Sequence, residues 1–324
     1  MATPCYKTLD ELWLDAVNTV YDDGVVIPSR DGGTTELLGY TACLVDPTAH
    51  MMFNPVRKMS PAYAAAELLW YLSLTDDITM IKYYAPQYER FAEDGKAHGA
   101  YGKRWLYGLA TEYIGQRGLS CQSQLHALIT LLVQKPETRQ AVVTMHNPQD
   151  LLHAIAGDKK DIPCTLSMQF FLRDGKLDLI VTMRSNDLWL GLPYDVFCFT
   201  CLQILIAEAL GMKLGWYQHQ AGSLHLYDRN HDKALDATRV RFDVLDGWVY
   251  KKHTIPVFEA IPQALAQEKF NREHRKCLGD DVAEIGEDSL LGQCVARTCI
   301  KHEKPDRRLL KILSPAIAKL IGAK

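Results

Sequence analysis

Two short segments hold the residues best placed to do chemistry. Cys164 follows a proline in Ile162-Pro163-Cys164-Thr165 and opens an alternating apolar run, and Met183-Arg184-Ser185-Asn186-Asp187 follows a little over one hairpin later. A thiol becomes a nucleophile when a nearby cation draws its pKa toward neutrality, and Arg184 is a permanent cation that could do so. On spacing alone the plainer reading, a buried strand-end Cys and a surface Arg, is favoured. Glu67 is the next candidate. It stands in a stretch, residues 64–72, that is otherwise almost wholly apolar, and a lone carboxylate is rarely buried without a function. Cys198-x-x-Cys201 has redox or zinc spacing, but Phe197, Phe199, Leu202 and Ile204 surround it and no second Cys or His pair accompanies it, so it reads as two core thiols and no metal is expected. Gly32-Gly33 lacks a P-loop lysine, and His231-Asp232 reads as a solvated helix start.

The elements that must position these residues follow from periodicity and turn chemistry. An amphipathic helix is predicted over residues 9–20, and strand-like composition over 36–53. Ser60-Pro61 reads as an N-cap followed by proline at the first helical position, opening the helix that carries Glu67. Further helices are expected after Thr75-Asp76-Asp77 and over 122–133, and a short strand over 140–145. Strands over 166–172 and 177–183 flank Asp174-Gly175, a strong hairpin signal. A strongly apolar helix over 196–210 ends at Gly211. Strands are predicted over 214–227 and, around Asp246-Gly247, over 240–251; from about 255 the pattern turns helical and charge-rich. The expected architecture is an α+β domain over residues 1–254, with an antiparallel-rich sheet packed by helices, and a helical C-terminal extension over 255–324.

Composition narrows the function classes. With 48% apolar residues, 23% charged residues and a formal charge of −3, the chain suits a folded domain and argues against a dedicated nucleic-acid binder. No uninterrupted apolar leader opens the sequence, and the most apolar stretch is broken by Gln203 and Glu208 and is too short to span a bilayer, so no membrane partner is expected. Nine scattered cysteines, an odd number, point to mostly free thiols and a cytoplasmic location.

Taken together, ELLWYL (67–72), AYGKRW (100–105), IPCTLSMQFFL (162–172), MRSNDLWLGLPYDVF (183–197) and AGSLHLYDRNH (221–231) resemble the thymidylate synthase superfamily in order and approximate spacing. The resemblance spans roughly residues 10–250 and is most specific over 160–231. Three departures lean to one branch: Thr165 stands where synthases usually have His, Asp195 where they have Asn, and Ser223 where they have Asp. With Met183-Arg-Ser-Asn-Asp187 these resemble the phage-type deoxycytidylate 5-hydroxymethylases and their relatives acting on cytidylate.

The resemblance implies a thymidylate synthase-like fold, a pyrimidine nucleoside monophosphate substrate, 5,10-methylenetetrahydrofolate as co-substrate, and a homodimer. It implies that Cys164 adds to C6 of the base, that Arg184 and Ser185 hold the phosphate, and that His225 and Tyr227 bond the sugar hydroxyl. Glu67 would organise water and proton transfer, Tyr101 would help remove the C5 proton, and Asp187 would contact the pterin. Tyr88 and Phe91 stand for an aromatic wall in which synthases commonly use Trp. The family's partner-subunit phosphate clamp is an Arg-Arg pair, of which Arg139-Gln140 keeps one member, with Arg30 a candidate replacement. Asp195 has a reading from hydrogen-bond inventory: cytosine offers an N3 acceptor and a 4-amino donor, which a protonated carboxyl can match, whereas an amide suits uracil. A bare carboxylate facing N3 would be repelled, so the site must supply a proton. Capping of the following helix is a second role open to Asp195.

Overall fold

The computed structural model describes residues 3–29, 32–106, 123–243, 250–275, 285–301, 313 and 317. Its strands are β1 (Cys5–Tyr6), β2 (Val25–Ser29), β3 (Gly32–Leu44), β4 (Val142–Thr144), β5 (Thr165–Arg173), β6 (Lys176–Met183), β7 (Asn186–Asp187) and β8 (Lys213–Tyr227). Its helices are α1 (Leu9–Asp23), α2 (Pro61–Leu72), α3 (Thr79–Tyr84), α4 (Tyr101–Arg104), α5 (Gln124–Gln134), α6 (Pro148–Ala156), α7 (Leu192–Leu210), α8 (Asp228–Arg239), α9 (Val257–His274) and α10 (Leu290–Cys299), with a 3₁₀ turn at Pro86–Phe91. One mixed sheet runs in the order β1-β3-β8-β6-β5-β4, with β2 beside β3 and β7 beside β8. The long pairings β3–β8 and β5–β6 are antiparallel, while β6 and β8 run parallel around the crossover helix α7. This is the α+β class the sequence predicts.

The β5–β6 hairpin positions the chemistry. Asp174 and Gly175 take φ of 49° and 71°, the left-handed pair that a two-residue hairpin turn requires. The register then pairs Thr165 with Met183, so Cys164 and Arg184 emerge side by side, with the Arg184 N–H donating to the Cys164 carbonyl at 2.8 Å. In β6, Leu177, Leu179, Val181 and Met183 are buried on one face, as the alternation predicts.

α2 begins as the sequence indicates: Ser60 Oγ accepts from the Tyr63 N–H and Pro61 takes the first turn. Eleven of its twelve residues are buried, Glu67 among them. α7 is a 19-residue helix, long and apolar enough by length and composition to cross a membrane, contrary to the expectation that it is too short. It is instead mostly buried in the core, where the Gln203 amide donates to the Leu177 and Trp216 carbonyls and ties the helix to the sheet.

Two predicted strands differ. β3 ends at Leu44, and 45–53 is irregular: Asp46 turns the chain, its carboxylate accepting the Thr48 N–H and its carbonyl the Ala49 N–H, and the buried Asp10 carboxylate takes the N–H of Phe53 and, just beyond, that of Asn54. Residues 240–243 and 250 carry no strand and Lys251 makes only an isolated bridge to Ser289; Asp246-Gly247 lies outside the described residues. Toward the C-terminus, α10 is buried along its length and packs against α2 and α9.

Candidate active site

A cleft of about 700 Å³ opens where the end of the β5–β6 hairpin, β7, the start of α7, the end of β8 and one face of α2 converge. Cys164, Glu67, Tyr101, Asp195, Arg184, Ser185, Asp187, His225 and Tyr227 all line it. Residues that are up to 160 positions apart in sequence are therefore neighbours in space, brought together by strand register rather than by local spacing. Arg139 does not line the cleft; it is exposed ahead of β4, its carbonyl accepting from Gln169 Nε2 at 2.9 Å. Arg30 lies outside the described residues.

Arg184 holds the loop that bears the thiol. Its Nε donates to the Pro163 carbonyl at 3.0 Å and its Nη2 to the Ile162 carbonyl at 2.9 Å. The expectation that Arg184 brings Cys164 toward neutrality meets a larger opposing effect: burial pushes the thiol up to about 11, Arg184 pulls it down, and Asp195, Asp161 and Asp187 push it up again. The balance of these effects favours the protonated thiol of Cys164.

Glu67 sits at the centre of α2, and Tyr63, four residues earlier on the same helix face, donates its hydroxyl to Glu67 Oε1 at 2.8 Å. Burial raises the Glu67 carboxyl to about 7, with the bonds from Tyr63 and Cys198 opposing the rise. A carboxyl with that pKa can both hold and release a proton near neutral pH. Cys198 and Cys201 are core thiols on α7, fully buried as the sequence suggests. Tyr101 stacks on Phe199 at 6.2 Å and accepts the Thr165 N–H at 3.1 Å, which leaves its own O–H proton available to the cleft.

Asp195 occupies the fourth position of α7, whose N-cap is Gly191, and no side-chain capping bond is made there. Its Oδ2 instead accepts from Asn186 Nδ2 at 2.7 Å. Burial pushes this carboxyl well above the ordinary carboxylate range, and Glu67 adds to the rise. Asp187 Oδ1 accepts the Trp189 and Leu190 N–H groups, both at 2.8 Å, and shapes the turn into α7. His225 and Tyr227 share one face of β8, their rings 5.2 Å apart, and Ser185 Oγ lies 3.4 Å from His225 Nδ1.

A family model described as Thymidylate synthase matches residues 11–244. The chain belongs to the thymidylate synthase family. Among curated relatives it is 33% identical over 222 residues to a deoxyuridylate hydroxymethyltransferase of Bacillus phage SP01, covering 67% of this chain and 56% of that protein. It is 28% identical over 220 residues to a deoxyuridylate hydroxymethyltransferase of Delftia phage PhiW-14, covering 65% of this chain and 58% of the relative. The chain thus spans little more than half the length of these relatives.

Thymidylate synthase family members use methylenetetrahydrofolate, and the lining suits such a group. Trp70, Tyr88, Phe91 and Tyr194 give flat apolar walls for a pterin and an aryl ring. Arg57, buried to 5% exposure, carries an Nη2 without a hydrogen-bond partner, a donor suited to a folate carboxylate. Arg57, Tyr63, Asn186 and Arg229 line the cleft without having been singled out from the sequence. Tyr63 carried a readable signal, an aromatic four residues before the buried Glu67. Asn186 stands inside the Arg-Ser-Asn-Asp run, yet its partners come from α7 and β8.

Proposed function

We propose that this chain is a cytidylate 5-hydroxymethylase, converting dCMP or CMP to its 5-hydroxymethyl derivative with 5,10-methylenetetrahydrofolate. The observation that carries this reading is Asp195: a half-buried carboxyl in the cleft that holds Cys164, its ionisation opposed by its surroundings, at the position where synthases have Asn. A neutral carboxyl offers a donor to N3 and an acceptor to the 4-amino group, the pair cytosine requires.

In this reading Arg184, Ser185, His225 and Tyr227 hold the phosphate and sugar, which aligns C6 of the base with Cys164 Sγ. Addition of the Cys164 sulfur to C6, its proton passing to water in the cleft, forms the covalent adduct and turns C5 into a carbon nucleophile. When bound, methylenetetrahydrofolate would supply a one-carbon unit at the oxidation level of formaldehyde to C5 and would leave as tetrahydrofolate. Tyr101, its O–H directed at the cleft, orients the water that removes the C5 proton. Glu67, poised near neutrality, holds the water that adds to the resulting exocyclic methylene, and loss of the sulfur from C6 frees both product and thiol. Tyr88, packed edge-on against Trp70 at 5.2 Å, and Phe91 form the wall that governs whether water reaches that carbon.

We also read the working form as a homodimer. Phe171 on β5, Ile180 on β6 and Trp216 on β8 are half-exposed on one face of the sheet, a surface suited to a second copy, which would bring Arg139 to the neighbouring phosphate. The names of the two phage relatives favour a second reading, the same hydroxymethylation on deoxyuridylate. Mass analysis of products from dCMP, CMP and dUMP separates the two. A hydroxymethyl product from dCMP or CMP, lost in Cys164→Ala together with C5 tritium release, is the expected result; a methyl product, or turnover by Cys164→Ala, overturns the proposal.

A further inference from the structure

Behind the cleft a line of buried polar groups runs from β8 to Asp195. Tyr217 OH lies 2.8 Å from His219 Nδ1, His219 Nε2 lies 2.9 Å from Asn186 Oδ1, and Asn186 Nδ2 lies 2.7 Å from Asp195 Oδ2. Tyr217 and His219 are fully buried and Asn186 is 3% exposed. Gly191 leaves the room for the last link, since a Cβ there would stand 3.0 Å from Asn186 Nδ2 and 3.2 Å from Asp195 Oδ2.

Such a line can satisfy its members in two directions. In one, the Tyr217 hydroxyl donates to Nδ1, the Nε2–H of a neutral His219 donates to Asn186 Oδ1, and the amide donates to Asp195 Oδ2. In the other every bond reverses and Asp195 donates its proton inward. The reversed direction leaves the Tyr217 hydroxyl proton with no acceptor, because His219 is its one hydrogen-bond partner among the described residues. A buried donor without an acceptor is the costlier choice, so the first direction holds. Burial, which lowers His219 to about 4, keeps the imidazole neutral as this direction requires.

We propose that Tyr217, His219 and Asn186 are positioning residues that fix the carboxyl proton of Asp195 on Oδ1, so that the carboxyl presents one donor–acceptor order to the base instead of two. An unconstrained carboxylic acid is ambiguous. With the proton on one oxygen it matches cytosine; with the proton on the other it matches uracil in the same pose. Asp195 alone could not discriminate between them. The line behind it makes the choice, and Oδ2, already accepting from Asn186, is left as the acceptor. This inference rests on the reading of Asp195 as the group that pairs with the base.

The test is Tyr217→Phe, a substitution outside the cleft that keeps the ring and removes only the hydroxyl. Nδ1 then loses its donor, His219 can change tautomer, the Asn186 amide can turn, and the proton can move to Oδ2. The kcat/KM ratio for dCMP against dUMP, and the ratio of their dissociation constants without folate, are measured in the wild type and the variant. The preference is expected to fall about tenfold or more, the scale of one reversed buried hydrogen bond. His219→Leu, which deletes the donor to Asn186 outright, carries the same expectation if Tyr217→Phe does not fold. His219→Gln, whose amide restores a donor near the Nε2 position, should retain most of the preference. A parallel loss on both nucleotides with the ratio preserved overturns the lock and marks these residues as merely structural. A wild type that prefers dUMP overturns the cytosine assignment and still supports the lock, provided that Tyr217→Phe erases that preference.

Discussion

Glu67 and Asp195 share one cleft, both with raised carboxyl pKa values, yet they predict different behaviour. The folded pKa of Glu67, about 7, lies above its ordinary 4.5, so the folded chain binds that proton more tightly than the unfolded chain. The stability it contributes is complete below pH 4.5 and is lost as pH rises through 7, an effect of up to about 3 kcal/mol. Glu67→Gln should remove that part of the pH dependence, measured by denaturant unfolding at pH 5 and pH 8, while also stopping product formation. An equal slope in wild type and variant would mean that Glu67 ionises freely. Asp195→Asn should instead change the substrate. The amide presents a donor to O4 and an acceptor to N3–H with no proton to supply, and each mismatched bond costs about 1–3 kcal/mol, so relative kcat/KM should swing toward dUMP. Because the Asp195 carboxyl bonds to Asn186 and not to an N–H of α7, a mere loss of stability with base preference intact is not the expected result.

At the level of elements, α4 sets the position of Tyr101, and Gly102 is what allows it. A Cβ at Gly102 would stand 2.8 Å from the Tyr71 carbonyl oxygen and 2.9 Å from that of Trp70, both backbone atoms of α2. Gly102→Ala should push α4 off α2 and withdraw Tyr101 from Thr165, so C5 tritium release should drop by an order of magnitude or more while Tm falls by only a few degrees. Much of this framework is readable in the sequence, because local chemistry fixes it: Ser60-Pro61 starts α2, Asp174-Gly175 closes the hairpin, and Gly211 at φ 67° ends α7. The register of that hairpin alone brings Cys164 to Arg184. What is not readable depends on groups distant in sequence. The segment after Leu44 has strand-like residues, but Asp10 takes the Phe53 N–H at its far end, and no pattern within 45–53 reveals that partner. The Tyr217–His219–Asn186 line is hidden for the same reason. His219 and Tyr217 alternate as any buried strand residues do, and only the packing of β7 and α7 against β8 gives them a common purpose. Sequence likewise marks Arg184 as a cation near a thiol without disclosing that burial outweighs it.

For the whole molecule, the dimer reading makes a sharp demand on Arg139. If it serves the neighbouring site, Cys164→Ala and Arg139→Ala chains should each be weak alone and regain activity when mixed, since one site of each mixed pair then holds an intact Cys164 and an intact Arg139. Sedimentation should report a two-chain species, and mixing that restores nothing would confine Arg139 to its own chain's surface. The C-terminal segment bears on the molecule in another way. The family match ends at residue 244, yet Leu290, Leu291 and Val295 on α10 are fully buried, and α10 lies against α2, the helix that carries Glu67. Earlier in the same segment, Glu268 on α9 accepts from Tyr84, itself a wall of the cleft, at 2.8 Å. A chain shortened to the matched stretch would lose the backing of its own reaction chamber, and it should be digested by protease where the full chain resists. In mechanical terms the C-terminal helices are a buttress: whatever shifts α10 shifts α2, the helix on which the chemistry rests.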